Sequence, residues 1–78
     1  MNLVDLSRRR VRNAQKKYGD EWKTYTKEQL WKETEQELAD IISYMEFYEK
    51  NFNVLLLPQK HAVIKLHEIL QKVMQPRK

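Results

Sequence analysis

Three features of the chain point to an all-α domain: long stretches with apolar residues at helical spacing, a capping signal ahead of the longest of them, and glycine and proline confined to their ends. The expected helices cover residues 2–18, 26–51 and 58–74. No β-hairpin signal, internal repeat or low-complexity segment interrupts them.

The first helix has Asn2 as N-cap and Asp5 in the first turn, where the helix dipole favours an anion. Val4, Val11, Ala14 and Tyr18 recur along one face, with Leu3 and Leu6 beside them, which makes a thin apolar stripe. Gly19, the only glycine, follows Lys16-Lys17-Tyr18 and reads as the C′ residue. Residues 19–25 form a connection in which Trp22 is expected to plug one end of a bundle.

The second helix is the organising element. Thr26-Lys27-Glu28-Gln29 is a capping box: the threonine hydroxyl accepts from a backbone amide one turn on, and the glutamine reaches back. At about 100° per residue, Leu30, Thr34, Leu38, Ile41, Ile42, Met45, Tyr48 and Phe52 share a broad arc, with Trp31 inside it. Phe47, Tyr48 and Phe52 read as core. Asn53-Val54-Leu55-Leu56-Leu57-Pro58 is too apolar for a solvated loop and is expected to tuck under the bundle or meet another chain. Pro58 opens the third helix, whose face carries Ala62, Val63, Leu66, Ile69, Leu70 and Val73. His67 lies beside that face as a boundary residue. Pro76 ends the helix, and residues 75–78 form a basic tail.

At 78 residues and 9.6 kDa the chain is a single domain, 1–78, with little capacity to bury a core alone. It has no cysteine, which excludes disulfides, thiolate metal sites and a cysteine nucleophile. Helix packing and self-association must supply the stability, so a helical-bundle homodimer or other homo-oligomer is expected. No apolar run nears the roughly 18 residues that span a bilayer. The opening Met1–Leu6 is too short and too acidic for a secretory segment, so no membrane association and a cytoplasmic location are expected.

Charge is unevenly spread within a net +4. Residues 1–20 hold six basic side chains against two acidic, residues 21–50 four against eight, and residues 51–78 five against one. Such a chain can match its own charges between packed helices, or present a basic surface to phosphates.

Glu33, Glu37, Asp40 and Tyr44 are spaced i, i+4, i+7, i+11 and form one line beside the apolar arc. Two readings stay open. Carboxylates at a packing boundary can gather around Mg²⁺, which takes oxygen ligands and keeps several waters when phosphates supply the rest. Alternatively the line pairs with Arg8, Arg9, Arg10, Arg12, Lys16 and Lys17 of the first helix.

Ala14-Gln15-Lys16-Lys17-Tyr18-Gly19-Asp20-Glu21-Trp22, followed by Glu37-Leu38-Ala39-Asp40-Ile41-Ile42-Ser43-Tyr44, resembles part of the MazG-like all-α nucleoside triphosphate pyrophosphohydrolases. Phage-type members carry the same "KYG-x-x-W" loop and "ELAD-x-x-x-Y" helix. The resemblance covers about residues 8–48 and implies Mg²⁺ held by paired acidic motifs, with release of pyrophosphate and a nucleoside monophosphate. Glu37-Leu38-Ala39-Asp40 matches the second motif, Glu-x-x-Asp. The first, Glu-Glu-x-x-Glu, has no counterpart, because the first helix is basic. The resemblance implies Glu37, Asp40 and Glu33 as metal ligands, Lys17 and the nearby arginines as phosphate contacts, and Trp22 or Tyr44 as a base-stacking ring.

The competing expectation is a non-catalytic helical interaction module. Arg8, Arg9, Arg12, Lys16 and Lys17 would then meet nucleic-acid phosphates without reading sequence, or the apolar surfaces would take a protein partner. His61 and His67 share no helix face, and Ser7 and Ser43 have no His/Asp companions, so neither a histidine metal pair nor a hydrolytic triad is indicated.

Overall fold

The computed structural model describes residues 2–19 and 21–76, and of Lys17, Tyr18, Glu21 and Trp22 it describes the backbone alone. Three helices make up nearly all of it: α1 (Leu3–Tyr18), α2 (Lys27–Phe52) and α3 (Leu57–Met74). No strand occurs among the described residues. The expected Trp22 plug, the Lys17 phosphate contact and the end of the basic tail, Arg77 and Lys78, lie outside what is described. No described helix is long and apolar enough to cross a membrane.

The caps form as their chemistry requires. The Asn2 side chain accepts from the Asp5 amide at 2.9 Å. The Thr26 amide donates to Gln29 Oε1 at 2.7 Å, and the Gln29 amide donates to Thr26 Oγ1 at 3.1 Å, completing the capping box. Gly19 closes α1 at φ 71°, a region that side chains disfavour, with its amide bonded to the Gln15 carbonyl at 2.9 Å. The connection is more ordered than expected, with a 3₁₀ turn over Glu21–Thr24.

The four residues 53–56 turn α2 back onto α3, with Asn53 in the left-handed conformation at φ 53°. The two helices run antiparallel and hold the packed part of the molecule. Trp31 and Leu38 are the buried side chains among the described residues, at 4% and 8% exposure. His67 of α3 stacks on the Trp31 ring at 5.4 Å between centroids. Its Nε2 lies 2.8 Å from Glu35 Oε2, so it is the half-buried boundary residue that its position beside the stripe predicts.

The start of α3 has no side-chain cap of its own, since Leu56 occupies the N-cap position. Glu49 supplies one from the preceding helix. Its Oε2 accepts from the Leu56 amide at 2.7 Å, and its Oε1 meets Lys60 Nζ at 2.9 Å. One carboxylate thus satisfies an orphan helix donor and an ammonium at once, locking the hairpin's closed end.

The packing departs from expectation in three places. Val54, Leu55 and Leu57 do not tuck under the bundle, which leaves contact with another chain as the other fate expected for this run: Leu55 is 86% exposed, and only Leu56 turns inward to half-burial. The turn is too short to fold its own side chains under the helices it joins. Phe47, Tyr48 and Phe52 are also exposed, not core. Finally, no ion pair shown among the described side chains joins the basic first helix to the acidic second; those within and between α2 and α3 are Glu28–Lys32, Glu49–Lys60, Lys65–Glu68 and Glu35–His67. Exposed ion pairs contribute about 0–1 kcal/mol each, too little to draw a thinly apolar helix onto its neighbour.

Candidate functional site

The acidic line on α2 lies on the side of the helix turned from α3, and Glu33, Glu37, Asp40 and Tyr44 are all exposed. Three of them share a groove with α1. Glu37, Asp40, Ile41 and Tyr44 form one wall, and Leu3, Leu6, Ser7, Arg10 and Val11 the other, around about 560 Å³. Leu3, Leu6, Ser7 and Arg10 recur at three- and four-residue steps, which puts them on one face of α1. Glu37 and Asp40 are separated by i, i+3 and sit one turn apart on α2. Tyr44 continues the line with its ring in edge contact with Phe47, the centroids 6.5 Å apart.

The groove therefore combines an apolar lining, two carboxylates, a guanidinium, a hydroxyl and an aromatic ring. That set suits an amphipathic ligand with a charged end: a guanidinium forks onto phosphate oxygens, and a phenol ring offers a stacking face.

Glu33 is not among the groove residues. Arg8, Arg9 and Arg12 line a separate depression of about 770 Å³, whose described lining, with Asp5, Ser7 and Val11, comes from α1. Lys16 is exposed and also outside the groove. Arg10, the member of the cluster not singled out as a phosphate contact, is the one that lines the same groove as Glu37 and Asp40. The three-four spacing from Leu3 and Leu6 is the signal that marks it.

The full carboxylate trio does not fit a resident metal ion. Among the described residues no group of three or more His, Cys, Asp or Glu side chains is placed to hold one. Three carboxylates strung along a straight helix diverge unless a second element bends them together. Here the second element, α1, brings an arginine.

A second groove of about 490 Å³ lies between α2 and α3, lined by Glu35, Leu38, Ala39, Ile42, Val63, Ile64 and His67. It follows the packed hairpin and belongs to its structural seam. Comparisons with protein-family models, curated proteins and solved structures find no significant match to this chain.

Proposed function

We propose that the α1–α2 groove binds the phosphates and base of a nucleotide, and that the chain is a minimal relative of the MazG-like pyrophosphohydrolases. The observation that carries this reading is the meeting of Glu37, Asp40 and Tyr44 with Arg10 around one groove. Arg10 takes a phosphate, Tyr44 stacks on the base, and the apolar lining accepts the sugar edge. Mg²⁺ arrives with the triphosphate as part of the ligand, and Glu37 and Asp40 are the side chains that would hold it. Two carboxylates suffice for a cation whose other positions go to phosphate and water. Binding is the function proposed. Hydrolysis, which the resemblance implies, calls for a first acidic motif that this chain lacks.

Calorimetric titration with the common nucleoside triphosphates, with and without Mg²⁺, tests it. The expected result is Mg²⁺-dependent binding that Asp40→Asn and Arg10→Gln each weaken roughly tenfold or more, about 1.4 kcal/mol. Binding that ignores both substitutions, or none with any nucleotide at millimolar concentration, refutes the reading. Pyrophosphate release, followed in parallel, separates an enzyme from a binding protein.

One observation favours a second reading. Arg8, Arg9 and Arg12 are exposed outside the groove, a placement that suits a nucleic-acid backbone. Retardation of duplex DNA that weakens steeply with salt would support this non-catalytic interaction module.

A further inference from the structure

The two walls of the α1–α2 groove belong to helices that are held very differently. α2 is fastened to α3 by the Trp31–His67 stack and by the Glu49 clamp at the closed end. Among the described residues α1 has no comparable fastening. No ion pair shown among the described side chains ties it to α2, and Leu3, which lines the groove, is still 80% exposed. On the opposite wall Tyr44 is 71% exposed.

α1 is also weak as a helix in its own right. It is 16 residues long, close to the length at which an isolated helix is marginal in water. Arg8, Arg12 and Lys16 follow one another at i, i+4 spacing, and like charges so placed repel. Asp5 is the only acidic residue of α1. Its order must therefore come from packing, and its packing is thin. The molecule has room to tighten: its radius of gyration is 15.1 Å, against about 11.5 Å for a compact chain of this length. Gly19, which ends α1 at φ 71°, has nothing within 4 Å of the place that a Cβ would take.

The groups suited to a ligand are divided between the walls. Ser7 and Arg10 come from α1, and Glu37, Asp40 and Tyr44 from α2. A ligand that touches both walls binds only when α1 is formed and docked, so its apparent affinity carries the fraction of molecules in that state. Docking also brings Leu6 and Val11, each 45% exposed, towards Ile41 on the other wall.

We propose that α1 is a clamp closed by the ligand: occupation of the groove orders α1 and draws it onto α2, while the hairpin keeps its packing. The clamp rests on the nucleotide reading of the same groove and adds how the site forms.

Amide exchange of the full chain, free and with Mg²⁺ and ATP, GTP, CTP or UTP, tests it beside the calorimetric titration. At about ten times the measured dissociation constant, exchange across residues 6–14 should slow about tenfold. A matched pair of variants gives a second readout. Arg12 lies nine residues from Leu3, roughly 180° round the helix, and does not line the groove. Arg12→Ala and Arg12→Gly remove the same charge and differ in helix propensity, so the glycine variant should bind nucleotide more weakly, by up to about fivefold. Nucleotide binding that leaves exchange in α1 unchanged, or that is equal in the two variants, overturns the clamp and leaves the binding reading standing. Absence of binding with all four nucleotides removes both. Circular dichroism reports whether the variants fold, and exchange in the wild-type chain decides the matter if they do not.

Discussion

The α2–α3 hairpin and α1 are built from the same materials, capped helices with apolar residues at helical spacing, yet only the hairpin is packed. It contains both buried side chains of the described chain, the Trp31–His67 stack and the Glu49 clamp. α1 keeps Leu3, Val4, Leu6 and Val11 exposed. The charge difference between α1 and α2 favours their association, and it does not produce it. Burial decides docking: an apolar side chain removed from water contributes about 1.5–3 kcal/mol, and an exposed ion pair about 0–1 kcal/mol. A stripe as thin as that of α1 has few side chains to bury.

The sharpest way to break this contrast is to remove the one large ring that the hairpin buries. Trp31→Ala is expected to cost about 3–5 kcal/mol, most of what a domain this small can hold. Urea or thermal denaturation should show α2 and α3 lost together. Leu6→Ala on α1, whose side chain is already 45% exposed, is expected to cost under about 1 kcal/mol by the same area reasoning. Equal losses from the two substitutions would mean that α1 is as firmly packed as the hairpin.

The split between what was legible in the sequence and what was not follows the same line. Helix ends fall within one residue of expectation, because caps and breakers are local: Asn2, Gly19, Thr26 and Pro58 act on backbone atoms within a turn. The identity of the acidic line was legible for the same reason, since spacing along one helix fixes its face. What the line faces was not. Whether Glu37 meets an arginine or another carboxylate depends on how α1 crosses α2, and no periodicity within one helix encodes that. Arg10 was hidden inside a run of arginines whose members point in different directions. Glu49 was missed because its partners, Leu56 and Lys60, lie across a turn whose geometry only the folded hairpin supplies. The apolar arcs of α2 and α3 were read as core, and part of each is indeed turned inward, more of α2 than of α3. The rest stays exposed because the thin apolar stripe of α1 does not cover it.

Glu49 offers an intermediate perturbation, confined to the hairpin's closed end. The Leu56 amide and then the Lys60 ammonium hold its carboxyl below the ordinary value, against the smaller opposing effect of burial. A carboxyl whose folded pKa is depressed binds protons more readily when unfolded. Its contribution is therefore complete above the ordinary carboxylate pKa and is lost as pH falls through the lowered, folded value. Acidification below the ordinary glutamate range should loosen the start of α3 first, seen as faster amide exchange at Leu56 and Lys60. Glu49→Gln should remove that pH dependence while weakening the clamp at neutral pH. An acid transition unchanged in the variant would show that other carboxylates govern it.

The smallest expected effects come from the two N-caps, and their value lies in how far each one spreads. Asn2→Ala and Thr26→Ala each remove one side-chain acceptor, worth about 1 kcal/mol to the helix it starts. A helix that is packed shares such a loss with everything packed against it, whereas a loosely attached helix frays alone. Thr26→Ala is therefore expected to lower the stability of α2 and α3 together, by about 1 kcal/mol in global unfolding. Asn2→Ala should speed amide exchange in α1, at Asp5 and Leu6 above all, and leave exchange at Leu38 and Leu70 unchanged. If Asn2→Ala slowed or sped exchange throughout the hairpin, α1 would be coupled to it more tightly than a single shared groove accounts for.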